Sequence, residues 1–154
     1  MSSHQPVVTD QILDLIESRS DEQRGNRRMS NEVVQALKDC GFYTMMLPKK
    51  WGGQEQRPQE FFREQIRIAE ADMSTAWASG IIAVHAFQIA LMSEEAQREV
   101  YEVDPNTLVS SSYNPVGAKA ASSDGGFMLS GRWGWSSGSE HCSWALLGLS
   151  LIHI

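Results

Sequence analysis

Within GRWGWSSGSEHCSW, residues 131 to 144, two small hydroxyls, Ser136 and Ser137, stand among Trp133, Trp135 and Trp144 and close to an adjacent His141–Cys142 pair. Hydroxyls beside large indoles can hydrogen-bond a flat ligand in a dry pocket, but the same serines also serve as ordinary turn residues; the residues alone leave both open. His141 and Cys142 invite a metal or a nucleophile, yet neighbours on a strand point to opposite faces, and no third ligand stands at zinc spacing. Gly131, Gly134 and Gly138 do not spell G-x-G-x-x-G and follow no βα unit, which excludes a dinucleotide fold. A second polar stretch, SSSYNPVG at 110 to 117, offers Ser112 and Tyr113. His85 stands alone in the apolar run STAWASGIIAVHAFQIALM, residues 74 to 92. An imidazole there has the titration range of a general base, although a lone buried histidine is more often a packed core residue.

The elements that must position these groups divide the chain in two. Thr9 or Asp10 caps a first helix with Ile12, Leu13, Leu15 and Ile16 at helical spacing. Ser30 starts a second, with Val33, Val34 and Leu37 on one face and Gly41 as its stop. After the apolar connector FYTMMLPKKWGG, Pro58 opens a third helix, with Phe61, Phe62, Ile66 and Ala69 expected inward and Arg63, Glu64, Arg67 and Glu70 outward. Ser74 is the expected cap of a fourth helix, apolar nearly all round and so buried on most sides, with Trp77 and Phe87, like Met45 and Met46, in the core. Ser93 starts a fifth, ended by Asp104-Pro105-Asn106. From Thr107 the period changes: TLVSSSY, FMLSGRWGW and CSWALLGLS read as strands, with SSDGG as a turn.

The expected class is α+β, an all-α helical domain at 1–106 followed by the first strands of a β-domain at 107–148. So few strands with open edges make no stable sheet unless a neighbour covers them, so the chain is expected to stop inside a domain. The 154 residues carry 13 basic and 19 acidic side chains, a formal charge of −6, with RGNRR at 24 to 28 the only basic cluster, which argues against nucleic acid. The start lacks a basic leader with a long apolar run, no stretch is long enough for a membrane helix, and Cys40 and Cys142 form no disulfide framework. A reducing cytoplasm is the expected setting.

GFYTMMLPKKWGG at 41 to 53, together with TLVSSSYNPVGAKA and DGGFMLSGRWGWSSGSEHCSWALLG up to residue 148, resembles the N-terminal part of the acyl-CoA dehydrogenase superfamily. Within it the chain is similar to the oxygenase components of two-component, flavin-dependent aromatic monooxygenases, which act on phenols such as 4-hydroxyphenylacetate or a phenolic seco-steroid. The resemblance implies a helical domain, a β-barrel-like domain of which only the start is present, and a C-terminal helical domain. LSLIHI, residues 149 to 154, departs from the family pattern and reads as a non-native, adaptor-like tail.

By the same resemblance, Trp135 is a wall beside the flavin, and Ser136 or Ser137 lies within hydrogen-bonding reach of its N5. There a small donor would steady the flavin C4a-hydroperoxide formed with O2. Ser112 or Tyr113 would line the flavin pocket, and His85, with Ser112, would face the phenol, where a base favours the more nucleophilic phenolate. Reduced FMN is the implied cofactor, with FAD as the other flavin, NADH acting only through a separate reductase, and a homotetramer the implied assembly. Acyl-CoA dehydrogenases carry Thr-Glu-Pro and then Gly-Ser-Asp where this chain has Tyr113-Asn114-Pro115 and VGAKA, lacking both acidic residues. Acyl-CoA oxidation is therefore the second reading, and a non-enzymatic helical binding module the third.

Overall fold

The computed structural model describes residues 6–149. Five α-helices come first: α1 Asp10–Asn26, α2 Asn31–Asp39, α3 Pro58–Ala71, α4 Met73–Ala90 and α5 Glu94–Tyr101. Four strands follow: β1 Val109–Ser112, β2 Pro115–Ser123, β3 Gly126–Trp133 and β4 Trp144–Leu147. The α+β order read from the sequence is borne out. Of the tail at 149–154, everything from Ser150 onward lies outside the described residues.

Local signals explain the helix starts. The Ser30 and Ser93 hydroxyls accept from the amides of Val33 and Ala96, and Pro58 sits in the first turn of α3. Thr9 occupies the cap position of α1 without a side-chain bond. α4 is a correction: its cap is Asp72, whose carboxylate accepts from the Thr75 amide at 2.7 Å, not Ser74. α5 also ends earlier than expected, at Tyr101 instead of at the Asp104-Pro105-Asn106 stretch.

α4 is the axis of the molecule, packing against α1, α3, α5, β1 and the 3-10 turn at Phe42–Thr44. Phe42, fully buried, holds the core by packing tilted against Phe61 at 5.5 Å and edge-on against Tyr43 at 5.6 Å, ring centre to ring centre. Each such side chain contributes about 1.5–3 kcal/mol by leaving water. Buried polar groups knit the helices together. Gln23 of α1 accepts from the Ser30 amide and donates to Thr75 Oγ1 of α4.

α3 does not present the expected face. Phe61, Glu64 and Ile68 are buried, whereas Phe62 and Ile66 are exposed. A carboxylate is tolerated inside because Glu64 accepts from the Val8 amide at 3.0 Å and pairs with Arg67 at 3.1 Å. α4 likewise keeps an open side: Met45 and Met46 are core as expected, but Trp77, Val84 and Phe87 reach solvent.

β1 is buried along its whole length between α4 and β4, with which it pairs in parallel, Val109 opposite Trp144 and Ser112 opposite Leu147. β2 and β3 form a separate antiparallel hairpin closed by Asp124-Gly125, and they lie mostly in solvent. The hairpin supplies one strand more than the sequence reading, because the alanine-rich stretch of β2 has no burial pattern to betray it. Among the described residues no helix is long and apolar enough to cross a membrane.

Candidate functional site

The Trp135-Ser136-Ser137 segment was expected on a strand; it lies instead in the loop after β3. β3 ends at Trp133, and Trp135 takes a left-handed backbone with φ 59°, so the alternation of the strand stops there. The Trp135 indole is 92% exposed, a flat apolar face open for contact. Two tethers hold the loop. At its start the Ser112 hydroxyl donates to the Gly134 carbonyl. At its end Gly138, with φ 75°, lies so close to α4 that a Cβ would sit 2.6 Å from Ile82 Cδ1. Between them the Trp77 indole N–H donates to Ser137 Oγ at 3.3 Å, and Ser136 Oγ is buried with no hydrogen-bond partner among the described residues.

Ser112 is buried at the end of β1, and its carbonyl accepts from the Gly148 amide at 2.8 Å. Tyr113, just beyond the strand, is half exposed, and its hydroxyl donates to Gln88 Oε1 of α4 at 2.6 Å. His85 is buried at the interface of α4 with β1, beside backbone groups of Ile82 and Val109. Its Nδ1 has no hydrogen-bond partner among the described residues. Burial lowers its pKa below the ordinary 6.5, outweighing those backbone groups, so the ring is a neutral base at pH 7. Ser112 thus ties the start of the Trp135 loop to β1 and Ser137 ties its end to Trp77 of α4, while His85 is buried between α4 and β1 with no hydrogen bond to Ser112.

His141 and Cys142 were expected on a strand as well. His141 closes a 3-10 turn, Ser139–His141, and Cys142 follows in extended backbone, its thiol donating to the Gly138 carbonyl at 3.4 Å. Burial pushes the Cys142 thiol up to about 11, with Glu140 adding to the rise, so it is no thiolate nucleophile. His141 Nε2 lies 3.6 Å from Glu140, and burial lowers its pKa also. Among the described residues no group of three His, Cys, Asp or Glu side chains is placed to hold a metal.

These two shifts fix a sign for acid stability. Both imidazoles stay neutral in the fold below the pH at which they would protonate in the unfolded chain, so the unfolded state binds more protons there. Stability is full above about 6.5 and falls as the pH drops below that value. Urea midpoints at pH 7.5 and 5.5 should show the fall, and His85→Gln should reduce the difference between them.

Sequence reading missed Trp77 and Gln88. They belong to one outward stripe of α4, Trp77, Ile81, Val84 and Gln88, at spacings of four, three and four; hydrophobicity alone sends its aromatic member to the core.

A model of the acyl-CoA dehydrogenase N-terminal domain matches residues 6–102. The chain belongs to the acyl-CoA dehydrogenase family. Within that family it is 42% identical over 142 residues to the flavin-dependent monooxygenase oxygenase subunit HsaA of Mycobacterium tuberculosis, which spans 92% of this chain and 36% of that protein. It is 35% identical over 140 residues to the oxygenase component of p-hydroxyphenylacetate 3-hydroxylase from Acinetobacter baumannii, covering 91% of this chain and 33% of that one. The crystal structure of 3-HSA hydroxylase from Rhodococcus sp. RHA1 superposes with a TM-score of 0.88 at 38% identity, over 96% of this chain and 39% of that chain. The chain therefore spans about a third of the length of the curated relatives it matches. XiaF of Streptomyces, in complex with FADH2, shares the fold at a TM-score of 0.83 and 20% identity.

Proposed function

We propose that the chain is the N-terminal part of the oxygenase component of a two-component, flavin-dependent monooxygenase that hydroxylates a phenol with O2. The substrate is one such as 3-hydroxy-9,10-seconandrostatriene-dione, with helical residues 1–106 leading into the β-domain from 107. The carrying observation is the span of the likeness. A match of 142 residues in a chain of 154 leaves at most 12 outside, so the likeness to the oxygenase subunit takes in the loop at 134 to 138 that clamps onto α4. Tyr113-Asn114-Pro115, without the acidic residues of acyl-CoA oxidisers, supports the same reading.

The residues suit a flavin. An open indole at Trp135, a free hydroxyl hydrogen on Ser137 and the unpartnered Ser136 Oγ offer a flat apolar wall with polar atoms beside it. Reduced FMN is the preferred cofactor, delivered by a separate NADH-dependent reductase, and when bound it supplies the electrons that activate O2. The chain's own groups then bind and orient. Trp135 covers one face of the flavin, Ser137 donates toward its N5, and Ser112, whose hydrogen is committed to Gly134, is left as an acceptor only. His85, neutral at pH 7, takes the phenol proton or a share of it. The assembly is a homotetramer in the cytoplasm.

The full-length protein supplied with reduced FMN, O2 and a phenol is expected to yield the catechol. Dye reduction by an acyl-CoA on copurifying FAD, with no catechol formed, would overturn the reading in favour of a dehydrogenase.

A further inference from the structure

Two serines make hydrogen bonds at the Trp135 loop, and the structure gives their hydroxyls opposite polarity. A serine oxygen has one hydrogen to give and two lone pairs. Ser112 gives its hydrogen to the Gly134 carbonyl, which leaves its oxygen as an acceptor only. Ser137 is the reverse. An indole N–H is a donor and nothing else, so the 3.3 Å contact from Trp77 Nε1 makes Ser137 Oγ the acceptor. The Ser137 hydrogen must then point away from Trp77, and no acceptor among the described residues takes it.

We propose that Trp77 is a positioning residue that fixes Ser137 as a hydrogen-bond donor toward the flavin, an inference that rests on the monooxygenase reading of the same site. Without the indole N–H the Ser137 rotor can turn back, and its hydroxyl can present a lone pair to the flavin instead. Trp77 is suited to the task because it stands on the rigid axis helix, five residues before Ile82, on which Gly138 rests. The loop and its orienting donor are therefore referred to one element. The indole itself is 64% exposed and contributes little to the core, so replacing it leaves the fold intact.

Trp77→Phe keeps an aromatic ring but removes the N–H along with the smaller ring of the indole. In the full-length oxygenase, Trp77→Phe is expected to weaken binding of reduced FMN about tenfold, the size of one lost hydrogen bond, and to raise the ratio of hydrogen peroxide to catechol by a similar factor. Phenol affinity should not change. Ser137→Ala is expected to do the same, Ser137→Thr to retain wild-type values, and Trp77→Phe with Ser137→Ala together to be no worse than Ser137→Ala alone. If Trp77→Phe changes neither quantity while Ser137→Ala changes both, or if the two effects multiply, Trp77 does not act through Ser137 and the proposal is overturned. If Ser137→Ala is itself silent in an enzyme that makes catechol, the placing of Ser137 at N5 fails, and the role of Trp77 with it. An enzyme that makes no catechol at all overturns the underlying function, a result distinct from either.

Discussion

Replacing Gly53 with alanine is expected to destabilise the protein by about 3 kcal/mol, the upper range for forcing atoms into a packed site. A Cβ at this position would lie 2.1 Å from the Leu47 carbonyl oxygen and 2.4 Å from both its carbonyl carbon and its Cβ. These are mostly backbone atoms, and they cannot swing aside. Residues 53 to 56 are laced along the preceding segment: Gly53 donates to Pro48, Gln54 to Thr44, Glu55 to Leu47 and Gln56 to Met45, at 2.7 to 3.2 Å. Relieving the collision means breaking some of these bonds. Leu47 also packs with Ala86, Ile89, Val100 and Val109, so a displaced Leu47 loosens the contact between α4 and β1. Urea unfolding of Gly53→Ala against the parent measures the loss. Gly25→Ala is the control: it lies near the end of α1 with nothing within 4 Å, and it should be neutral or slightly stabilising. A loss at Gly53 below about 1 kcal/mol would mean that the segment yields more easily than its packing implies.

How much of this could be read in advance depends on how local each cause is. Ser30, Pro58 and Ser93 announce helix starts because their capping chemistry acts within one turn, and each did so correctly. Asp72 and Ser74, two residues apart, are both good caps, and only the geometry of the α3–α4 junction chooses Asp72. Glu64 could not be placed inside by any local rule. The partners that make its burial tolerable include the Val8 amide, 56 residues earlier. The same holds for the candidate site. The residue types of GRWGWSSG and SSSYNPVG single them out, but that Trp135 leaves the strand, and that Ser137 meets Trp77 across 60 residues, are properties of the folded chain. Trp77 was legible only as hydrophobic, and hydrophobicity alone says core.

The clamp at Gly138 separates positioning from stability. Gly138→Ala in the full-length protein is expected to lower catechol formation about 100-fold, the cost of misplacing a positioned group by roughly 1 Å, while changing the urea midpoint little. Two penalties meet at this residue. A φ of 75° costs a side chain about 1–2 kcal/mol, and the added Cβ would press on Ile82 Cδ1 at 2.6 Å. Ile82 is 2% exposed, so its methyl has little room to swing aside, and the left-handed strain at residue 138 persists even if it does; the loop is expected to lift. Ser137 precedes Gly138 directly, and lifting takes its hydroxyl away from the Trp77 N–H. Little core is lost in that movement, because Trp135 is already in solvent and the neighbouring hairpin is largely exposed. Gly134→Ala tests whether the seat or mere loop composition matters. A Cβ there meets nothing within 4 Å, and its carbonyl still accepts from Ser112, so that variant should hydroxylate normally. Measuring catechol per flavin oxidised alongside the urea midpoint separates the outcomes. If Gly138→Ala loses as much stability as Gly53→Ala, the glycine serves the fold, and the loop is not a device for aiming Ser137.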